Sequence, residues 1–426
     1  MDTLLFYLKK LIPTPLFRAL QPAYHYLLGL LGALIYRFPS KEITVIGVTG
    51  TKGKSTVVEL INAIFEADER RTAVAGTIRF KIGEKSERNL YKMTMPGRFF
   101  MHRFLRDAVK AGCEVAIIEM TSEGVKLFRH KYIHLDALVF TNLSPEHIES
   151  HGSFEKYVAA KLELARALEE SKKRPRYIIA NADDERGELF LRADVEHKLP
   201  YSLKDLDLHT LNKEDSSLVI GNTTIRVPLV GLFNVYNALA AITTARAFGI
   251  PLATIEKALT ELPQVKGRVE RFKSPKGAKR SITAIVDYAH TPDSLEKLYE
   301  AFPKEKKVCV LGNTGGGRDT WKRPEMGRIA GEYCERVILT NEDPYDENPR
   351  KIVEDMVRGV EDESKVEIIM DRRKAIRVAL EDAPDKSVVL ISGKGTDPYI
   401  MGPAGTKMPW SDAKVVQQEM NAIFKK

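Results

Sequence analysis

The run Gly47-Val-Thr-Gly-Thr-Lys-Gly-Lys-Ser-Thr56 carries the residue types that hold a phosphate chain. Glycines let backbone N–H groups approach phosphate oxygens, and a helix N-terminus behind them adds a favourable dipole. Gly50, Thr51, Lys52 and Gly53 make the turn. Lys54 is expected to reach the β- and γ-phosphates, and Ser55 or Thr56 to hold Mg²⁺ through a hydroxyl. The common P-loop has a glycine where Val48 stands, so the signal lies in Gly-Lys-Ser-Thr and its context. A second carboxylate-ended run, Val115 to Glu119, supplies a hard oxygen of the kind Mg²⁺ prefers. The loop Thr141 to Gly152 holds His147, His151, Glu146 and Glu149, which suit either a metal site or ordinary polar surface. Lys161 follows on a helical stretch from Phe154 to Leu168.

These residues need elements to position them, and the pattern supplies strands alternating with helices. Ile43 to Val48, Val115 to Glu119, Leu135 to Phe140 and Tyr177 to Ala180 read as buried strands of a parallel sheet. Polar groups at the C-terminal ends of such strands are where ligands of open α/β sheets bind. A hairpin is expected around Gly221-Asn222, and Asn234 as the cap of a helix that carries Asn237. A second alternating segment begins near Gly267-Arg268-Val-Glu270. Its strands Ile282 to Val286, Lys307 to Leu311, Arg336 to Leu339 and Ser387 to Ile391 end in loops holding Asp287, Asp319, Glu342-Asp343 and Gly393-Lys394. The expected fold is α/β: a central P-loop ATPase domain with a mainly parallel sheet over 41–265, then a Rossmann-like domain over 266–426.

The first forty residues differ from the rest. They are rich in Leu, Ala and aromatics, interrupted by Pro13, Pro15 and Pro22. The uncharged part, Pro22 to Tyr36, is shorter than the ~20 residues that span a bilayer. Two readings fit residues 4–38: helices packed on the following domain, or a peripheral anchor on an anionic membrane surface.

The 426 residues are 43% hydrophobic and 29% charged, as in soluble globular proteins, and carry a net charge of +8. No basic run interleaved with aromatics marks a nucleic-acid surface, so anionic small molecules are the expected partners. Cys113, Cys309 and Cys334 are far apart, which predicts buried free thiols and a reducing, cytoplasmic setting.

Taken in order, the P-loop, Thr141-Asn142, Gly231-Leu-Phe-Asn234-Val-Tyr-Asn237, Gly267-Arg-Val-Glu270, Asp287-Tyr-Ala-His-Thr-Pro-Asp293 and Gly393-Lys-Gly395 resemble the Mur ligases over residues 41 to 426. The likeness is to the tripeptide-synthetase type, ATP-dependent amide-bond ligases of peptidoglycan precursor synthesis. It implies that Lys54 binds the γ-phosphate, that Ser55 or Thr56 and Glu119 hold a first Mg²⁺, and that His147 helps hold a second. It implies that Lys161 is carbamylated and so supplies an anionic metal ligand. Asn234, Asn237, Arg268 and Asp287 are then expected at the nucleotide, with Asp319 and Lys322 closing over ATP. Glu342, Asp343, Tyr345, Gly393, Lys394 and Asp397 are expected around the incoming amino acid.

Three departures refine the expectation. About forty residues precede the P-loop strand, too few for the domain that binds the UDP end of the acceptor, so a lipid-linked acceptor at the membrane stands beside a UDP-linked muramoyl peptide. Tyr345 stands where diaminopimelate-specific enzymes carry an arginine, and Asp343 and Asp397 suit a side-chain ammonium, which points to L-lysine or another diamino acid. The Ser-Ser-His that follows the metal glutamate in the family reads Thr121-Ser122-Glu123. A folylpolyglutamate synthase-like ligase shares the ATP machinery and is the alternative.

Overall fold

A computed structural model describes residues 14–146, 148–317 and 319–424, with side chains described from residue 21 and that of Ile148 excepted. The chain forms two compact units. One runs to Glu146 and takes in Ser153–Ser202 and Ala240–Pro251; the other takes in a short segment ending at Gly152, then Leu203–Leu239 and Leu252 onward.

The first unit is built on strands β1 (Thr44–Thr49), β2 (Thr72–Ala75), β3 (Arg79–Ile82), β4 (Lys85–Arg88), β5 (Val115–Glu119), β6 (Ala137–Phe140), β7 (Tyr177–Asn181) and β8 (His197–Tyr201). They form one sheet in the order β4-β3-β2-β5-β1-β6-β7-β8. The run β2-β5-β1-β6-β7-β8 is parallel, and β3 and β4 add an antiparallel edge. The parallel strands are apolar and buried because helices cover them, as a parallel sheet requires. Helices α1 (Thr14–Ile35), α2 (Lys54–Ala67), α3 (Arg98–Lys110), α4 (Ser122–Lys126) and α5 (Phe154–Glu169) belong to this unit. β1 has β5 on one side and β6 on the other, and its register pairs Val48 with Glu119 and Thr49 with Phe140. The P-loop, Glu119 and Thr141 therefore leave the sheet along one edge, at the point where strand order reverses.

The apolar N-terminus forms α1, a helix that runs through Pro22. Its Gly29 and Gly32 approach Phe128, Tyr132, Phe99 and His102, and Tyr26 packs edge-on against Phe128. Packing on the following domain is thus realised for its inner face. Residues before Thr14 lie outside the described residues. No helix among those described is long and apolar enough to cross a membrane.

The second unit holds an antiparallel sheet, β9 (Leu208–Leu211), β10 (Ser216–Ile220) and β11 (Thr223–Val227), turned at Gly221-Asn222 as expected. Helix α6 (Leu232–Ala247) starts in this unit. Strands β12 (Glu270–Lys273), β13 (Ile282–Val286), β14 (Lys307–Leu311), β15 (Arg336–Leu339), β16 (Val366–Ile368) and β17 (Ser387–Ile391) form a sheet in the order β12-β13-β17-β14-β15-β16. All but β12 run parallel. Helices α7 (Lys322–Tyr333), α8 (Arg372–Asp382) and α9 (Asp412–Phe424) pack on its faces.

Two expectations are corrected. Cys309 and Cys334 are not free thiols: they form a disulfide with Cα atoms 6.2 Å apart, and only Cys113 is free and buried. Cys309 lies in mid β14 and Cys334 caps the C-terminus of α7, so one βα crossover brings together residues 25 apart in sequence. Nor does Asn234 cap α6. The helix begins at Leu232, and the Asn234 amide instead donates to the Val230 carbonyl at 2.8 Å.

Candidate active site

In the first unit two lysine side chains converge on the P-loop backbone. Lys54 Nζ donates to the carbonyls of Gly50 (2.9 Å) and Thr51 (2.8 Å), and Lys161 Nζ donates to the same Gly50 carbonyl at 2.8 Å. Gly50 has φ of +144°, and a Cβ there would lie 1.9 Å from Thr141 Oγ1, so only glycine fits. Ser55 Oγ donates to both oxygens of Glu119, at 3.2 and 3.1 Å, and both residues are buried. Glu119 also accepts from the Thr77 N–H (2.9 Å) and hydroxyl (3.0 Å). Thr56 is buried in the first turn of α2.

A strap formed by residues 141–146 fixes the loop. Asn142 Oδ1 accepts from the Lys52 N–H at 2.9 Å, and Glu146 takes the Lys52 ammonium at 2.9 Å. Thr51 Oγ1 meets the Tyr157 hydroxyl at 3.0 Å. His147 lies outside the described residues.

Electrostatics single out Lys161. It is 2% exposed, and its ammonium stands 5.1 Å above the Tyr157 ring. Burial first, then repulsion from Lys54, push its pKa well below 10.5, with Glu146 and Glu119 opposing. Both effects favour the neutral amine over the ammonium. Among the described residues no cluster of three or more His, Cys, Asp or Glu side chains suits a metal. The Ser55 hydroxyl and Glu119 carboxylate do suit Mg²⁺, which keeps several waters and needs few hard protein oxygens.

In the second unit the predicted motifs interlock. Gly267 has φ of +60°, and a Cβ there would lie 2.6 Å from the Thr396 nitrogen. Arg268 donates to the Gly267 carbonyl at 2.9 Å and lies 4.7 Å over the Tyr288 ring. Asp287 accepts from the Val269 and Ala289 N–H groups at 2.8 and 2.7 Å. Burial raises its pKa, partly countered by Arg268. Asn237 donates to Asn234 at 2.9 Å, and both are buried. Lys322 is buried at the start of α7, and Asp319 lies in the preceding loop with φ of +43°.

The amino-acid set is arranged differently from its sequence description. Lys394 is fully buried, and its ammonium binds Asp343 at 2.8 Å, Asp397 at 3.3 Å and the Tyr399 carbonyl at 2.7 Å. The two carboxylates read as acceptors of a substrate ammonium thus already hold one from the chain itself. Glu342 is buried beside Gly393, where a Cβ would lie 2.1 Å from its Oε2, and that oxygen has no partner among the described residues. Burial raises the Glu342 pKa, with Arg372 and Lys394 opposing. Tyr345 takes φ of +51° and its N–H donates to Met401. Sequence reasoning missed Thr77, Tyr157 and the buried Arg372–Asp412 pair, in which Arg372 also donates to Ser392 at 2.9 Å. None of these lies in a local motif.

Family comparison agrees with this arrangement. Residues 48–245 match the model of the Mur ligase middle domain, and residues 267–395 that of the Mur ligase, glutamate ligase domain. The chain is 35% identical over 385 residues to the UDP-N-acetylmuramoyl-L-alanyl-D-glutamate–2,6-diaminopimelate ligase of Listeria monocytogenes serotype 4b (strain F2365), covering 87% of this chain and 77% of that one. It is 35% identical over 428 residues to the UDP-N-acetylmuramyl-tripeptide synthetase of Roseiflexus sp. (strain RS-1), covering 94% and 83%. A solved structure of a UDP-N-acetylmuramoyl-L-alanyl-D-glutamate–2,6-diaminopimelate ligase superposes with a TM-score of 0.60 at 29% identity, over 89% of this chain and 78% of that one. With both domain models matched in order over most of its length, this chain belongs to the Mur ligase family of ATP-dependent, amide-bond-forming enzymes.

Proposed function

We propose that this chain joins a diamino acid, L-lysine first, to the free carboxylate of a muramoyl dipeptide at the expense of ATP. The convergence of Lys54 and Lys161 on the Gly50 carbonyl beside the Ser55–Glu119 pair carries the reading. A carboxylate is a poor electrophile. Its oxygen attacks the γ-phosphorus, ADP leaves, and an acyl phosphate results. The amine of the incoming amino acid then attacks the acyl carbon, phosphate departs with the bridging oxygen, and the ammonium proton passes to solvent. Lys54 neutralises charge on the transferring phosphoryl group, and the backbone of 50–55 orients it.

Mg²⁺, held by Ser55 or Thr56 and Glu119, supplies further charge neutralisation when bound. His147 would help hold a second ion, and a carbamylated Lys161 would supply an anionic metal ligand. The lowered pKa of Lys161 supports carbamylation, since only a neutral amine adds to carbon dioxide. Asn234, Asn237, Arg268, Asp287, Asp319 and Lys322 serve the nucleotide. Residues 41–265 and 266–426 act as central and C-terminal domains, in the cytoplasm and at the inner face of the membrane. The relatives' names point to diaminopimelate; Tyr345 in place of an arginine favours lysine.

The test is phosphate release from Mg-ATP with UDP-N-acetylmuramoyl-L-Ala-D-Glu and lysine, diaminopimelate or neither. Lysine-dependent release, lost by at least about a thousandfold in Lys54→Ala, is the expected result. Equal turnover with both amino acids removes the lysine preference. No turnover with any amino acid on either a UDP-linked or a lipid-linked acceptor removes the ligase reading.

A further inference from the structure

Two arginines lie outside the machinery above, and no carboxylate forms a salt bridge with either among the described residues. Arg98 is the first residue of α3, and Arg129 follows α4. The Arg129 guanidinium donates through Nη1 to the Met95 carbonyl and lies 3.8 Å from Met93 Sδ, which places it on the loop that leads into α3. Nε and Nη2 of Arg98 and Nε of Arg129 are buried without a hydrogen-bond partner. Burial, then the Arg129 charge, pulls Arg98 down to about 10. The acid that acts on Arg129 is Glu123, through space. Two neighbouring cations with unmet donors, opposed only by Glu123 at a distance, suit a further anion that accepts from them. The N-terminus of α3 has no side-chain cap, and a Cβ added at Gly97 would meet nothing within 4 Å, so there is room for one.

The surroundings say what the anion is attached to. Helix α1 rests on the segment that carries Arg129, through Tyr26 against Phe128 and Tyr132. Its outer face leaves Leu27, Leu31 and Leu34 61%, 47% and 54% exposed. On the loop before α3, Leu90, Tyr91 and Met93 are 54%, 51% and 42% exposed. Apolar surface of this kind beside unneutralised arginines complements an amphiphile with an anionic head.

We propose that Arg98 and Arg129 bind the phosphate head of a lipid, with the outer face of α1 and the 90–93 loop against its tail or the bilayer around it. The inference deepens the ligase reading by naming a membrane-borne carrier for the acceptor, but its test needs neither ATP nor amino acid. Binding of farnesyl diphosphate, inorganic diphosphate and UDP is measured on the full chain by calorimetry with the P-loop saturated by Mg-ADP. Partition onto phosphatidylcholine vesicles is measured with and without a prenyl phosphate.

Farnesyl diphosphate is expected to bind about tenfold or more tightly than inorganic diphosphate. Arg98→Ala is expected to weaken both. Leu27→Glu with Leu31→Glu, both exposed, is expected to abolish the farnesyl advantage and vesicle partition while leaving inorganic diphosphate unchanged, which also shows that the variant is folded. Equal affinity for the two diphosphates, tighter binding of UDP than of farnesyl diphosphate, or vesicle partition indifferent to the leucine substitutions would overturn the proposal. Those results leave lysine-dependent phosphate release untouched, and loss of that release leaves this site untouched.

Discussion

A lysine whose surroundings disfavour its charge is the clearest chemical statement the chain makes. Lys161 is enclosed by the P-loop backbone and the Tyr157 ring, and its folded pKa lies well below 10.5. The unfolded chain therefore binds a proton that the folded chain excludes. Stability rises with pH from the lowered folded value up to the ordinary one, by about 1.4 kcal/mol per pH unit for one proton. Lys161→Met is expected to flatten that slope in denaturant titrations above neutral pH and to abolish turnover; an unchanged slope would show that the amine keeps its proton. In the wild type, bicarbonate is expected to flatten it too, because a carbamate no longer titrates as an amine. Lys54, Ser55 and Glu119 were legible in sequence because each sits in a strand–turn–helix motif. Thr77 and Tyr157 were not, because their contacts depend on how distant elements meet. Asp343 and Asp397 were legible as acids, but not the buried Lys394 that occupies them.

At the scale of elements, buried parallel strands announced themselves as short apolar runs, and β5, β13, β14, β15 and β17 fall where those runs lie. β4 did not, since all four of its residues are exposed and polar, and β16 is only three residues long. The disulfide was hidden for a topological reason: a single crossover joins Cys309 to Cys334. Closing a loop of that length stabilises by about 3 kcal/mol in the chain-entropy account. Cys309→Ala with Cys334→Ala is expected to lower the midpoint of thermal unfolding accordingly, and an unchanged midpoint would show that the closed loop adds nothing.

The docking of α1 carries its own pH signature. His102, against Gly32 of α1, is 1% exposed, and burial pushes its imidazole down to about 4, with the Lys131 backbone opposing. Its stability contribution is complete above the unfolded value of about 6.5 and is lost as pH falls from there towards 4. His102→Leu is expected to reduce the fall of the unfolding midpoint between pH 6.5 and 4. An identical fall would assign acid sensitivity elsewhere, with His130, pushed down to about 3 by burial, the next candidate.

For the whole molecule, the central claim is that ATP energy passes through an acyl phosphate on the acceptor carboxylate. Two units, one with a phosphate cradle and one with interlocked Gly267, Asp287 and Gly393 motifs, are the parts such a reaction uses. The most direct measurement labels both oxygens of the acceptor carboxylate with heavy oxygen and follows the label by mass spectrometry during lysine-dependent turnover. The account predicts that each phosphate released carries one labelled oxygen and each amide product keeps the other. Phosphate free of label while amide forms, or label recovered in AMP, would contradict it.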